Sequence, residues 1–132
     1  MNKVFELPPV YNKTTLSNGV RVITEHHPGT RAATVGLFVP MGSRDEPDHL
    51  LGAAHFVEHM VFKGTKSFGV GDIASIVEAS GGELNAYTSL DQTVYYINLP
   101  SKKLALGLKI LKEMVLTSLF SLKLFIKLSV ND

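Results

Sequence analysis

Hydrophobic and polar positions along the 132 residues change period several times, and each change marks an element. Thr14-Thr15-Leu16-Ser17 and Val20-Arg21-Val22-Ile23-Thr24 flank Asn18-Gly19, a tight-turn pair, so a hairpin is expected over residues 14–24. His27-Pro28-Gly29 breaks the second strand. Ala32 to Pro40, carrying Val35, Leu37, Phe38 and Val39, is mostly apolar, the pattern of a strand buried in a sheet. The polar loop Gly42-Ser43-Arg44-Asp45-Glu46-Pro47 follows. Asp48 is placed to cap a helix from His49 to about Phe62, with Gly64 as its stop.

A second helix is expected from Asp72 to Ser80, ended by Gly81-Gly82. Glu83 to Thr88 and Gln92 to Leu99 read as strands, the latter rich in β-branched and aromatic residues. Pro100-Ser101 opens a third helix that sets Leu104, Leu108, Leu111 and Val115 on one face. Strands and helices in this order imply an α+β domain, a mixed, largely antiparallel sheet packed against helices, rather than strict βαβ repetition. After Phe120 the pattern changes: six large apolar residues fall within the nine positions Leu122–Val130, on no single helical or strand face. Left uncovered, such a surface promotes self-association.

Composition narrows the function. Hydrophobic residues at 45% and charged residues at 19% suit one soluble domain with a real core. The net charge of +1 offers no broad attraction to nucleic acid. Met1 to Tyr11 has no apolar core of signal-peptide length. Leu104–Val130 is interrupted by Lys109, Lys112, Glu113, Lys123 and Lys127, which argues against a membrane span, so a cytoplasmic location is the expectation. Because there is no cysteine, any metal must be held by histidine and carboxylate.

Such residues meet at His55, Glu58 and His59. Histidines at i and i+4 lie one above the other on a helix, and Glu58 at i+3 keeps all three within an arc of about 100°. They are the only ionisable side chains between Leu50 and Phe62, and their neighbours are Ala, Phe, Val and Met. Burying three such groups without a shared task would cost several kcal/mol. A cation satisfies them: neutral imidazoles donate lone pairs, and the carboxylate can take a proton from a metal-activated water. Leu50, Ala54, Val57 and Val61 occupy another face and are expected to anchor the helix in the core. His26, His27 and His49 read as surface residues.

Five ordered blocks carry a resemblance. They are Leu16-Ser17-Asn18-Gly19-Val20-Arg21-Val22, Gly42-Ser43-Arg44-Asp45-Glu46, Ala54-His55-Phe56-Val57-Glu58-His59-Met60-Val61-Phe62-Lys63-Gly64-Thr65, Gly81-Gly82-Glu83-Leu84-Asn85-Ala86-Tyr87-Thr88-Ser89 and Tyr95-Tyr96. Together they resemble the pitrilysin, insulinase and mitochondrial processing peptidase family, zinc metallopeptidases of the inverted HxxEH type. The resemblance covers residue 13 to about residue 120. It implies the N-terminal portion of a peptidase domain, with His55 and His59 as Zn2+ ligands and Glu58 as general base. Asn85 and Ala86 would lie on an edge strand that pairs with the backbone of a peptide substrate.

One part of the family pattern is missing. The third zinc ligand is implied on a later helix roughly 75 residues past the second histidine, since a catalytic zinc takes three protein ligands and a water. That position falls beyond Asp132, and Ser121–Val130 contains no carboxylate. Residues 1–12 therefore read as an N-terminal extension, 13–120 as a partial peptidase domain, and 121–132 as a divergent tail, as from a truncation or a shifted reading frame. The implied function is a zinc endopeptidase domain that needs a second family half-domain or subunit. The alternatives are a non-catalytic peptide-binding or scaffolding partner, against which the intact HxxEH argues, and a nonfunctional gene remnant.

Overall fold

The computed structural model describes residues 10–119. The chain divides into two compact units between Arg31 and Ala32. The first is an antiparallel hairpin of β1 (Val10–Thr15) and β2 (Arg21–His26), with Val10 opposite His26 and Thr15 opposite Arg21. Pairing thus starts within the stretch read as an extension, at Val10. The connection is also longer than the Asn-Gly pair alone implies. Gly19 N–H donates to the Leu16 carbonyl at 2.9 Å and Leu16 N–H to the Val20 carbonyl at 2.8 Å, closing a loop over Ser17, Asn18 and Gly19. Gly19 takes φ +87°, the left-handed residue that ends a three-residue hairpin loop.

The second unit holds a three-stranded antiparallel sheet in the order β3 (Ala32–Val39), β5 (Thr93–Pro100), β4 (Glu83–Thr88). Three helices accompany it: α1 (Ala53–Val61), α2 (Asp72–Ala79) and α3 (Leu104–Thr117). The fold is α+β with antiparallel sheets, as the pattern implies. β5 is the central, most buried strand, and Ile97 at its middle is fully enclosed. Its side chains facing the helices pack with Val61, Ile73, Val77, Ile110, Leu111 and Met114 into one core. β3, expected to be buried, instead alternates between exposed and half-buried positions. Alternating exposure is the pattern of an antiparallel strand packed on one face only.

The apolar face of α3 also differs from expectation. Gly107, Ile110, Leu111 and Met114 are buried, whereas Leu104 and Leu108 are 41% and 54% exposed. The two candidate stripes share Leu111 and differ by a rotation of roughly 80° about the helix axis. Gly107 selects between them. A Cβ there would come within 2.8 Å of Leu99 Cδ2 and 3.0 Å of Val35 Cγ1, so the bare backbone lets α3 lie close against β3 and β5. A side-chain pattern cannot register a contact made by the absence of a side chain.

The packing yields a discriminating test. Ile110→Ala should lower the unfolding free energy by about 2–5 kcal/mol. Leu108→Ala, on the face that the sequence pattern favours, should stay within about 0.5 kcal/mol of the parent. Urea denaturation of both variants measures the difference, and equal costs would mean the helix is rotated from this position.

Candidate metal centre

The site is built on α1, and its placement begins upstream. The loop Gly42–Glu46 is pinned to the β4–β5 turn: Ser43 N–H donates to the Ser89 carbonyl at 3.0 Å and Arg44 N–H to the Leu90 carbonyl at 2.9 Å. Gly42 itself approaches so closely that a Cβ would fall 2.3 Å from the Ser89 carbonyl oxygen. Arg44 adds an exposed ion pair to Asp91 at 2.8 Å. This anchorage holds Glu46 at the start of α1. Its carboxylate accepts the N–H groups of Gly52 at 2.6 Å and Ala54 at 2.7 Å. Orphan amide donors and the positive end of the helix dipole are both satisfied by that one side chain.

Asp48 therefore does not cap the helix as expected. Asp48–Leu50 forms a separate 3₁₀ turn, and α1 starts after Gly52, whose φ of +91° breaks any continuous helix from His49. The expected core face of α1 is corrected as well. Val61 is buried, but Leu50 and Val57 are 51% and 43% exposed. Met60 and Glu58 take the inward positions instead.

His55 and His59 come together as the i, i+4 spacing implies. Their Nε2 atoms lie 3.1 Å apart, with ring centroids at 4.5 Å and planes inclined by 63°. Two nitrogens bound at about 2.0–2.1 Å to one tetrahedral zinc are separated by about 3.3 Å. The pair thus fits zinc with little adjustment. Both rings are exposed, so the burial cost argued from their apolar neighbours applies to Glu58 alone. Among the described residues no group of three or more His, Cys, Asp or Glu side chains could hold a metal ion. His49 is exposed, and His27 Nε2 lies 2.7 Å from Glu25 Oε1.

Glu58 is 8% exposed and turns toward the sheet. The Thr88 hydroxyl donates to its Oε2 at 2.5 Å, joining α1 to the end of β4. Sequence reasoning assigned Thr88 no role. The signal was its alternation: Thr88 shares the face of Ala86, two residues earlier on β4. The charge of Glu58 reaches Tyr95 as well. Burial first, then the carboxylate, push the Tyr95 hydroxyl above its ordinary value of 10.0. A neutral Tyr95 therefore supports folding below pH about 10, and that contribution is lost as pH rises through the folded value.

Asn85 and Ala86 occupy the middle of β4, opposite Tyr96 and Tyr95 of β5. Ala86 packs on the core, while the Asn85 amide donates to Glu83 Oε1 at 2.5 Å on the other face. In the three-stranded sheet β4 is an edge, so its outer backbone groups are not paired within that sheet.

The chain is similar to known proteins. The family model described as insulinase (peptidase family M16) matches residues 21–129, which extends into the segment set apart as divergent. An uncharacterized zinc protease of Mycobacterium leprae is 46% identical over 104 residues, covering 79% of this chain and 23% of that protein. A probable mitochondrial-processing peptidase subunit beta of Arabidopsis thaliana is 43% identical over 112 residues, 85% of this chain and 21% of its own length. The crystal structure of a protease from Helicobacter pylori superposes with a TM-score of 0.86 at 32% identity, covering 90% of this chain and 29% of that one. The chain belongs to the insulinase family of peptidases, M16. It spans less than a quarter of the length of these two curated relatives.

The Glu58–Thr88 contact generates a double-mutant prediction. Thr88→Val keeps the shape but leaves a buried carboxylate short of a donor, and should cost about 1–3 kcal/mol. Glu58→Met in the same chain should recover most of that loss, because removing both partners removes the unmet demand. Additive costs in urea denaturation would show that the two side chains are not coupled.

Proposed function

We propose that this chain supplies the two-histidine and general-base part of a zinc-dependent endopeptidase site. The observation that carries the reading is the pair of Nε2 atoms 3.1 Å apart on α1, one helical turn from a carboxylate held in place by Thr88. His55 and His59 would bind Zn2+, and the metal would supply Lewis-acid activation of a water. Glu58 would receive the proton of that water at its carboxylate and later return it to the leaving amine. The relatives named as a zinc protease and a processing-peptidase subunit support this chemistry.

Substrate would be an extended peptide added along the outer edge of β4, with main-chain hydrogen bonds near Asn85 and Ala86. The Thr88–Glu58 bond supports this choice of edge, because it ties Glu58 to the end of the same strand. Two imidazoles provide only part of a catalytic zinc site, which takes three protein ligands. The 132-residue chain by itself would then act as a partial domain, dependent on a further carboxylate from a second half-domain or subunit. A cytoplasmic location remains part of the proposal.

Two measurements test it. After dialysis against zinc, the isolated chain should retain less than one equivalent, His55→Ala should reduce that further, and Glu58→Gln should leave it unchanged. Tight one-to-one zinc would mean that another group of the chain completes the site. In the second, unstructured peptides with added zinc should show little or no turnover. Robust cleavage that disappears in Glu58→Gln would overturn the view that this chain is incomplete, while retaining the role given to the base.

A further inference from the structure

At nine residues α1 is shorter than the roughly 12–15 that an isolated helix needs in water, so contacts from outside must hold its ends. Glu46 holds the first turn. The last turn carries His59, and the chain beyond it enters the loop Gly64–Phe68. That loop is curled on itself. Gly64 takes φ +110°, and Thr65 N–H donates to the Phe68 carbonyl at 2.8 Å. The buried Thr65 hydroxyl accepts the N–H groups of Ser67 at 3.2 Å and Phe68 at 3.1 Å.

The curl is tied to the end of α3. Lys66 N–H donates to the Thr117 carbonyl at 3.2 Å, Leu119 N–H donates to the Gly64 carbonyl at 3.0 Å, and Thr65 and Ser118 form an antiparallel bridge. Glu113 stands at the centre. The Thr117 hydroxyl donates to its Oε2 at 2.8 Å, and the hydroxyls of Ser67 and Thr65 donate to the same carboxylate. Thr117 foremost, joined by Ser67, Thr65 and Lys109 and opposed by burial, holds the Glu113 carboxyl below its ordinary value of 4.5. Lys109, one turn earlier on α3, also lies 5.7 Å from the centre of the Phe68 ring and braces the same loop. The zinc chemistry makes no use of Glu113.

We propose that Glu113 is a positioning residue for His59: by gathering three hydroxyls it latches the loop after α1 onto α3 and keeps the last turn of α1 wound, one turn beyond His55. The inference rests on reading His55 and His59 as the metal-binding pair, which gives that turn its purpose, but the latch itself needs no zinc. An unlatched end would unwind and carry His59 away from His55 with both imidazoles still present.

Amide hydrogen exchange at neutral pH reads the latch, because local opening of one segment is separable from global unfolding. In Glu113→Ala the amides of His59, Met60, Lys66 and Leu119 should exchange at least about tenfold faster, while those of Tyr95 and Ile97 in β5 keep the parental rate. Glu113→Gln, whose amide oxygen still accepts hydroxyl protons, should recover most of the protection. Competition with a chromophoric chelator should show zinc held several-fold more weakly by Glu113→Ala than by the parent, although no ligand has been removed. If Glu113→Ala does not fold, Thr117→Val removes one donor and must loosen the same amides. Exchange that quickens equally in α1 and β5 would overturn the proposal, since Glu113 would then merely stabilise the whole unit. Unchanged exchange at His59, or faster exchange with unaltered zinc binding, would overturn it too. A parent chain that binds no zinc would count against the metal reading instead, and exchange at His59 would still decide the role of Glu113.

Discussion

A carboxylate removed from water must find a donor, and the site is organised around that demand. Glu58 is the charged side chain buried beneath α1, and Thr88 meets it from the end of β4. Because it sits one residue before His59 and three after His55, fixing it fixes the rotation of the helix. The histidines are then presented on the exposed side with their Nε2 atoms converging. At the other end of α1, Glu46 determines where the helix begins. Position along the axis and rotation about it are set by two glutamates with different tasks.

The strands, the helical HxxEH segment and the antiparallel character of the sheet were legible because each rests on a periodic side-chain signal. β4 matches its expected bounds, and α2 differs by a single residue. What escaped the pattern was backbone geometry. Gly107 rotates α3 by allowing close approach, Gly52 starts α1 later than Asp48 suggested, and Gly19 lengthens the hairpin loop. Three glycines account for three of the differences. The pairing of His55 with His59 was readable from spacing alone. Their exposure was not, since apolar neighbours in sequence do not say which of them turn inward.

Membership of the M16 family and the short span of the chain belong together. The first unit is a hairpin and the second a three-stranded sheet with three helices, less than a quarter of the length of the curated relatives. The outer edge of β4 is a row of backbone donors and acceptors that no other strand of its sheet pairs.

The alternation of β4 has a consequence for any peptide aligned beside it. Asn85 and Ala86 point to opposite faces, the first toward the side of Tyr96 and the second into the core beside Tyr95. An added strand obeys the same two-residue period. Its odd-numbered side chains would enter one environment and its even-numbered ones another, while its main chain is held whatever the sequence. Selectivity toward such a peptide would become a parity rule: every second residue would meet the helix side, and those between would meet the outer face.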